Sequence, residues 1–237
     1  MREYKMNNKK YIDLHIHSKA SDGKLSVLEI IHKAQKSGLT AIAITDHNTI
    51  GGIKEYLSSK KKVDGIEIIP GVEVSAIYKG TLIHILVYAY SQDGKFSSMI
   101  ENLKKRNLRH YIDYKRSIVK EIYYEYIDAI SLLQLVKEDG GVSVLAHPKR
   151  VCSNYKGLTK IILDLASHGL DGIESFHKEN SLIEQKKFDW FAIRHDLIST
   201  GGSDFHGITD DFGCNKHKPK IPYRYLEKLK EKARTVK

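Results

Sequence analysis

The feature that most constrains this 237-residue chain is where its histidines fall. There are 12, and most sit beside Asp, Ser or Gly at the ends of short apolar runs rather than on solvated helix faces. The run Tyr11–His15 ends in His15-Ile16-His17-Ser18, and Thr40–Thr45 ends in Asp46-His47. Ile66–Pro70 leads into Gly71-Val72-Glu73-Val74-Ser75. Gly141–Ala146 ends in His147-Pro148, Leu170–Phe176 in His177, and Leu197–Gly201 in Ser203-Asp204-Phe205-His206. A further apolar run, Thr81–Tyr90, carries His84 inside it. A fold that gathers its strand ends at one face therefore gathers these side chains as well.

Between the runs lie helical segments. Ser26-Val27-Leu28-Glu29 is a capping box, serine as cap and glutamate three later. Val27, Ile30, Ile31 and Ala34 then repeat at helical spacing up to Gly38. Ser97 to about Glu138 reads as helix broken near Tyr123–Tyr126, and Leu158–Leu165 and Leu182–His195 read as helices. Seven strands, most followed by helices and with no Pro/Gly/Ser linker between halves, predict one barrel-like α/β domain. In such barrels functional residues collect at the C-terminal ends of strands, where the polar clusters fall.

Composition narrows the function classes. At 41 % apolar and 29 % charged the chain is an ordinary globular mix, not a disordered one. No apolar run approaches the roughly 20 residues that span a bilayer, and Met1–Lys10 lacks a signal-peptide core. Two cysteines, Cys152 and Cys214, make neither a disulfide framework nor a cysteine zinc site, so a reduced, cytoplasmic chain without a membrane partner is expected. The net charge of +10 favours phosphate-bearing partners. A lysine-rich solvated surface, of which Lys60-Lys61-Lys62 is an example, is the stronger reading of that charge.

The chemistry lies in the clusters. His15 and His17, two apart on a strand, point to one face and suit a shared ion. Asp46-His47, Glu73, His84, His147, Asp204 and His206 add donors of the same kind. His84 reads either as a core histidine or as a ligand facing the barrel mouth, and Asp22, in Ser21-Asp22-Gly23, as a turn residue or a ligand. Six histidines and three carboxylates exceed what one ion needs. They imply two or three divalent ions (manganese, zinc or iron) with one carboxylate shared. Such a cluster makes hydroxide at neutral pH and clamps the oxygens of an in-line displacement, which suits phosphate esters.

Four ordered blocks resemble the PHP (polymerase and histidinol phosphatase) superfamily of metal-dependent phosphoesterases. They are Asp13-Leu14-His15-Ile16-His17-Ser18, Ile44-Thr45-Asp46-His47-Asn48-Thr49, Ala146-His147-Pro148 and Gly202-Ser203-Asp204-Phe205-His206. Ser21-Asp22-Gly23 and Pro70-Gly71-Val72-Glu73-Val74-Ser75 are similar to the branch that hydrolyses nucleoside 3′,5′-bisphosphates or trims 5′-phosphorylated RNA. The resemblance implies a distorted seven-stranded (β/α)7 barrel over residues 11–215, between a polar extension (1–10) and a basic, helical C-terminal tail (216–237). It implies a trinuclear site: His15, His17, Glu73 and Asp204 for one ion, the shared Glu73 with His84 and His147 for a second, and Asp22, His47 and His206 for a third. The long helical insertion frequent in that branch between the positions of His84 and His147 is absent here.

On this reading Asp204 orients the attacking water, and His206 or His177 protonates the leaving group. Arg150, then Lys149, are the expected phosphate contacts, with His177 beside them. Arg106 and Arg109 read as a solvated helix face. Asp46 and Glu174 are expected to hold ligand histidines by hydrogen bonds. The substrate is a phosphorylated small molecule or short nucleic acid, with no obligatory protein partner. Competing readings are a histidinol-phosphate-type phosphomonoesterase, a hydrolase of carbon–nitrogen bonds and a non-catalytic basic nucleic-acid-binding module.

Overall fold

The computed structural model describes residues 10–59, 63–115, 124–207, 212 and 220–235. The strands are β1 (Tyr11–Asp13), β2 (Ala41–Ile44), β3 (Glu67–Tyr78), β4 (Thr81–Tyr88), β5 (Ile127–Asp128), β6 (Val142–Leu145), β7 (Gly172–His177), β8 (Ile198–Gly202) and β9 (Ile221–Pro222). The helices are α1 (Val27–Lys36), α2 (Gly51–Ser58), α3 (Lys95–Lys115), α4 (Ala129–Glu138), α5 (Pro148–Val151), α6 (Tyr155–Ser167), α7 (Leu182–Arg194) and α8 (Arg224–Thr235). Helix α1 forms as its sequence dictates. Ser26 and Glu29 make the reciprocal capping box, and Val27, Ile30, Ile31 and Ala34 are the buried face.

One sheet runs in the order β8-β7-β6-β4-β3-β2-β1-β9, with β5 paired to the end of β3. Beyond β1 the chain also meets β8. The Leu14 N–H donates to Gly201 O at 3.1 Å, the Phe205 N–H donates to His15 O at 3.3 Å, and Ile16 bridges Phe205. These bonds bring β1, β2, β3, β4, β6, β7 and β8 into a nearly closed ring, the expected distorted seven-stranded barrel. The two other strands lie off that ring. β9 pairs antiparallel with the first residues of β1, Tyr11 and Ile12, below the seam that β8 closes above.

The ring is not uniformly parallel. β4 is antiparallel to both neighbours, β3 and β6. A tight turn makes this possible: Lys79 (φ 47°) and Gly80 (φ 80°) both take the left-handed conformation that two-residue hairpins require. His84 therefore reaches the mouth from the first half of its strand, not from the strand end where the other clusters lie.

Two apolar clusters hold the barrel. The larger packs α1, α2, α4, α6 and α7 on the outer face of the sheet. The smaller contains Ile12, Leu14, Ala41, Ala43, Ile69, Leu86, Tyr88, Val142 and Val144 from strands or their ends, together with Tyr225, Leu226 and Leu229 of α8. Helix α8 thus packs onto strand residues, and each buried leucine contributes on the order of 2 kcal/mol. The predicted helix from Ser97 to about Glu138 is two helices, α3 and α4, and Tyr124–Tyr126 is non-helical. Cys214, His217 and Lys60–Lys62 lie outside the described residues. No helix among the described residues is long and apolar enough to cross a membrane.

Candidate metal centre

Glu73 occupies the middle of β3 and is fully buried. Its Oε2 lies 3.0 Å from His15 Nε2, 3.1 Å from His17 Nε2 and 3.4 Å from His47 Nδ1. Its Oε1 lies 3.0 Å from His84 Nδ1 and 2.9 Å from His147 Nε2. Asp204 Oδ1 is 3.6 Å from His15 Nε2, 3.4 Å from His17 Nε2 and 3.4 Å from His206 Nδ1. Asp22 meets His17 at 3.5 Å, His47 at 3.7 Å and His206 at 3.2 Å. The nine residues expected from sequence thus converge.

Among the described residues, three overlapping groups have ligand atoms within 4.8 Å of one another: His15, His17, Glu73 and Asp204; His47, Glu73 and His84; and His17, Asp22, His47 and His206. The first is deeply buried, whereas the last is open on one side, with the Asp22 side chain 52 % exposed. His147 joins through Glu73 Oε1. Two of these residues sit in sparsely populated backbone conformations, His147 at φ 27° and Asp204 at φ 52°. Such conformations persist only where surrounding contacts over-determine them.

Those contacts are visible. Glu174, buried on β7, accepts from the His147 N–H at 2.7 Å and lies 2.9 Å from His15 Nδ1, so it orients two of the histidines. Asp13 accepts from the His15 N–H at 3.2 Å and the Ser203 N–H at 2.9 Å, tying the loop after β1 to the loop after β8. Asp46 departs from expectation. It accepts from the Ser18 N–H at 2.6 Å and from the hydroxyls of Ser18 and Ser21 at 2.8 Å each. It therefore holds the loop that presents Asp22, not a histidine ring.

The donor chemistry tests whether cations fit. Burial pushes His47 down to about 4 despite the nearby Glu73 carboxylate, and burial also lowers His147 against the pull of Glu73. A ring held below its ordinary value favours the neutral form that binds metal, and each of these two turns one ring nitrogen to a Glu73 oxygen. Burial lowers His15 too, but the charges of Glu174 and Glu73 outweigh it and raise the ring well above its ordinary value. Burial raises Glu73, yet the His15 charge and hydrogen bonds from His147 and His15 hold it well below the carboxylate range. Asp204 is likewise held down, against burial, by His17 and His177, whose Nε2 atoms lie 3.4 and 3.6 Å from its oxygens. Among the described residues, both ring nitrogens of His17 and Nδ1 of His147 are buried without a hydrogen-bond partner. Buried polar atoms left unpaired are costly, and a cation held among them would satisfy these donors. Imidazole and carboxylate donors in this mixture suit manganese, zinc or iron.

The remaining expected residues divide. His177 is buried, with Nε2 3.6 Å from Asp204 Oδ2 and without a hydrogen-bond partner, while its Nδ1 accepts from the Glu179 N–H at 3.3 Å. The Arg150 Nη2 lies 3.1 Å from Asp204 Oδ2, and the guanidinium is gripped by both carboxylate oxygens of Glu179. Lys149 is turned outward to Glu184, at 2.8 Å. Arg106 pairs with Glu125 at 2.8 Å, Arg109 is exposed, and Cys152 is a half-buried thiol. Sequence reasoning missed Lys178, whose ammonium donates to the Asp204 carbonyl at 2.8 Å. Its one signal was adjacency to His177.

Comparison with known proteins gives the same direction. The family described as PHP domain matches residues 13–186. The 5′-3′ exoribonuclease of Haemophilus influenzae is 29 % identical over an alignment of 249 residues, which covers 84 % of this chain and 90 % of that protein. The 3′,5′-nucleoside bisphosphate phosphatase of Chromobacterium violaceum is 25 % identical, over 82 % of this chain and 87 % of that protein. A solved structure from Chromobacterium violaceum, titled an amidohydrolase with bound sulfate and no metal, superposes with a TM-score of 0.74 at 23 % identity, covering 94 % of this chain and 96 % of that one.

Proposed function

The chain belongs to the PHP domain family and is a metal-dependent phosphoesterase, and we propose that it hydrolyses a phosphate ester of a nucleotide or of a short 5′-phosphorylated nucleic acid. The observation that carries the reading is Glu73, whose two oxygens each face a different set of histidines. One carboxylate so placed could serve two ions. His15, His17, Glu73 and Asp204 would hold the first, and Glu73, His84 and His147 the second. Asp22, His47 and His206 would hold a third. When bound, such ions supply a nucleophilic water at neutral pH and neutralise charge on the phosphoryl oxygens.

The chain's own groups do the rest. Arg150 reaches the centre beside Asp204 and orients a non-bridging phosphate oxygen through its planar fork. Asp204 orients the attacking water. His177 is the better general acid of the two expected, because it lies outside the three ligand groups while His206 is in one. From its Nε2, which faces the Asp204 side of the centre, it protonates the leaving oxygen. The open flank at Asp22, His47 and His206 admits a substrate that extends beyond one phosphate.

The test is a panel of p-nitrophenyl phosphate, adenosine 3′,5′-bisphosphate, a 5′-phosphorylated RNA trimer and histidinol phosphate. It is run on manganese-loaded protein, with EDTA controls. Hydrolysis of the nucleotide or RNA that EDTA removes is expected. A preference for histidinol phosphate defeats the nucleotide assignment, and RNA binding that persists in EDTA with no hydrolysis of any ester defeats the enzymatic one.

A further inference from the structure

Helix α7 has two unlike faces. Gln185, Phe188, Phe191 and Ala192 are buried against the barrel. On the outside, Ile183, Lys187, Trp190 and Arg194 recur at i, i+4, i+7 and i+11, and Leu182, Lys186 and Ile193 form the adjoining row. All are exposed, and each of the apolar side chains is more than half so. The acids of the helix are taken elsewhere. Glu184 is held by Lys149 at 2.8 Å, and Asp189 accepts from the Tyr225 hydroxyl at 2.9 Å. The next acid in the chain, Asp196, lies past the C-terminal end of α7. The outer face is therefore apolar and cationic. Single apolar residues scattered on a surface need no explanation, but a row about 15 Å long on one helix does.

Candidate occupants differ in what they ask of such a face. A second copy, paired about a two-fold axis centred on the row, brings Lys186 and Lys187 of both copies together with no acid between them. A patch of a few hundred Å² also falls short of the roughly 800 Å² per partner of a stable interface. Single-stranded nucleic acid stacks its bases on aromatic rings. Here Leu182, Ile183 and Ile193 are aliphatic, and Arg194 lies over the Trp190 ring at 4.7 Å. An anionic bilayer uses both halves of the face. Aliphatic side chains and an indole enter the boundary between headgroups and acyl chains, while Lys and Arg stems let their charges reach headgroup phosphate.

We propose that α7 is a docking face for an anionic lipid bilayer. The expectation of no membrane partner rests on the lack of a spanning run, and a helix lying in the interface plane needs none. Helix α7 starts shortly after His177 and packs over the outside of β7 and β8. Docking on it engages the flank of the barrel and leaves the mouth at Glu73 uncovered. The proposal does not depend on the phosphoesterase reading.

Trp190 is the single tryptophan of the chain, so its emission reports on this face alone. The native protein is titrated with vesicles of phosphatidylcholine and phosphatidylserine in about a 7:3 ratio. The emission maximum moves to shorter wavelength, and added salt reverses the shift. Vesicles of phosphatidylcholine alone give a much smaller one. The Lys186→Gln, Lys187→Gln double variant keeps the reporter and needs about 30-fold more lipid for half the shift, as loss of two basic residues near an anionic surface implies. Ile183→Ser with Ile193→Ser needs at least about tenfold more. No shift with anionic vesicles, an equal shift with neutral ones, or an unchanged lipid dependence in both variants overturns the proposal. A shift that appears without lipid as protein concentration rises assigns the face to a second copy. A shift with a single-stranded oligouridylate and none with vesicles assigns it to nucleic acid. Either result overturns the bilayer assignment.

Discussion

Replacing Glu73 by Gln keeps the shape of the side chain and removes the charge at the middle of the centre. Five imidazole nitrogens lie within 3.4 Å of that carboxylate. Two of the three ligand groups contain it, and the outer group of His17, Asp22, His47 and His206 does not. On the proposed three-ion reading, bound metal therefore falls to at most one ion per chain. An ion present at a hundred times its dissociation constant stabilises the fold by about 2.7 kcal/mol, so losing two removes about 5 kcal/mol. For a chain of this size that is a drop of roughly 10–20 °C in Tm relative to the metal-saturated native protein. Elemental analysis after desalting, with thermal unfolding in manganese and in EDTA, reads both quantities. A Glu73→Gln variant with native metal content, or with the native shift on adding EDTA, refutes the reasoning.

Glu174→Gln weakens the acceptor facing His15 Nδ1 and the His147 N–H, and metal affinity falls about 10–100-fold in a chelator competition. Gly202→Ala places a Cβ 2.3 Å from His15 Cβ and 2.5 Å from His15 N across the β1–β8 seam. Urea unfolding shows it less stable by about 1–3 kcal/mol, and an unperturbed variant would mean the seam yields freely. In EDTA, stability depends on pH in a defined sense. His15 is raised, so its contribution is complete below about 6.5 and is lost as pH rises through its folded value. His47 is lowered, so its contribution is present above about 6.5 and is lost as pH falls through its folded value of about 4. Urea midpoints from pH 4 to 9 in EDTA are expected to peak between these limits. A midpoint that keeps rising above neutrality contradicts the His15–Glu73 pairing.

Much of the centre was legible because its donors are chemically conspicuous and lie next to apolar runs. His15, His17, His47, His147, Asp204 and His206 all follow strands or their extensions, where periodicity ends and a histidine is hard to explain by packing. Asp22 and His84 were open to two readings, and both are decided by contacts distant in sequence: Asp22 by His206, His84 by Glu73. The direction of β4 was not legible, since an apolar strand reads the same either way and the information lies in the short Lys79-Gly80 turn. Helix α2 escaped notice because it begins with two glycines and has no side-chain cap. The roles of Asp46 and Lys178 depend on backbone groups of Ser18 and Asp204, which no pattern of side chains reveals.

The reversal of β4 is what lets one carboxylate sit at the centre. In an all-parallel barrel, ligands come from strand ends, where the backbone is leaving its ladder and each side chain is held from one side. Here β3 runs for 12 residues, and Glu73 lies in its interior. On one side His47 bridges to Glu73, and on the other Glu73 pairs with Leu86 of β4. Its backbone is thus fixed along both edges before any ion arrives. The antiparallel neighbour brings His84 to Oε1, while the loops after β1 and β2 bring His15, His17 and His47 to Oε2. Pre-fixed donors avoid reorganisation when charge develops at the site. The hairpin turn at Lys79-Gly80, remote from the chemistry, therefore sets which histidines can share the carboxylate.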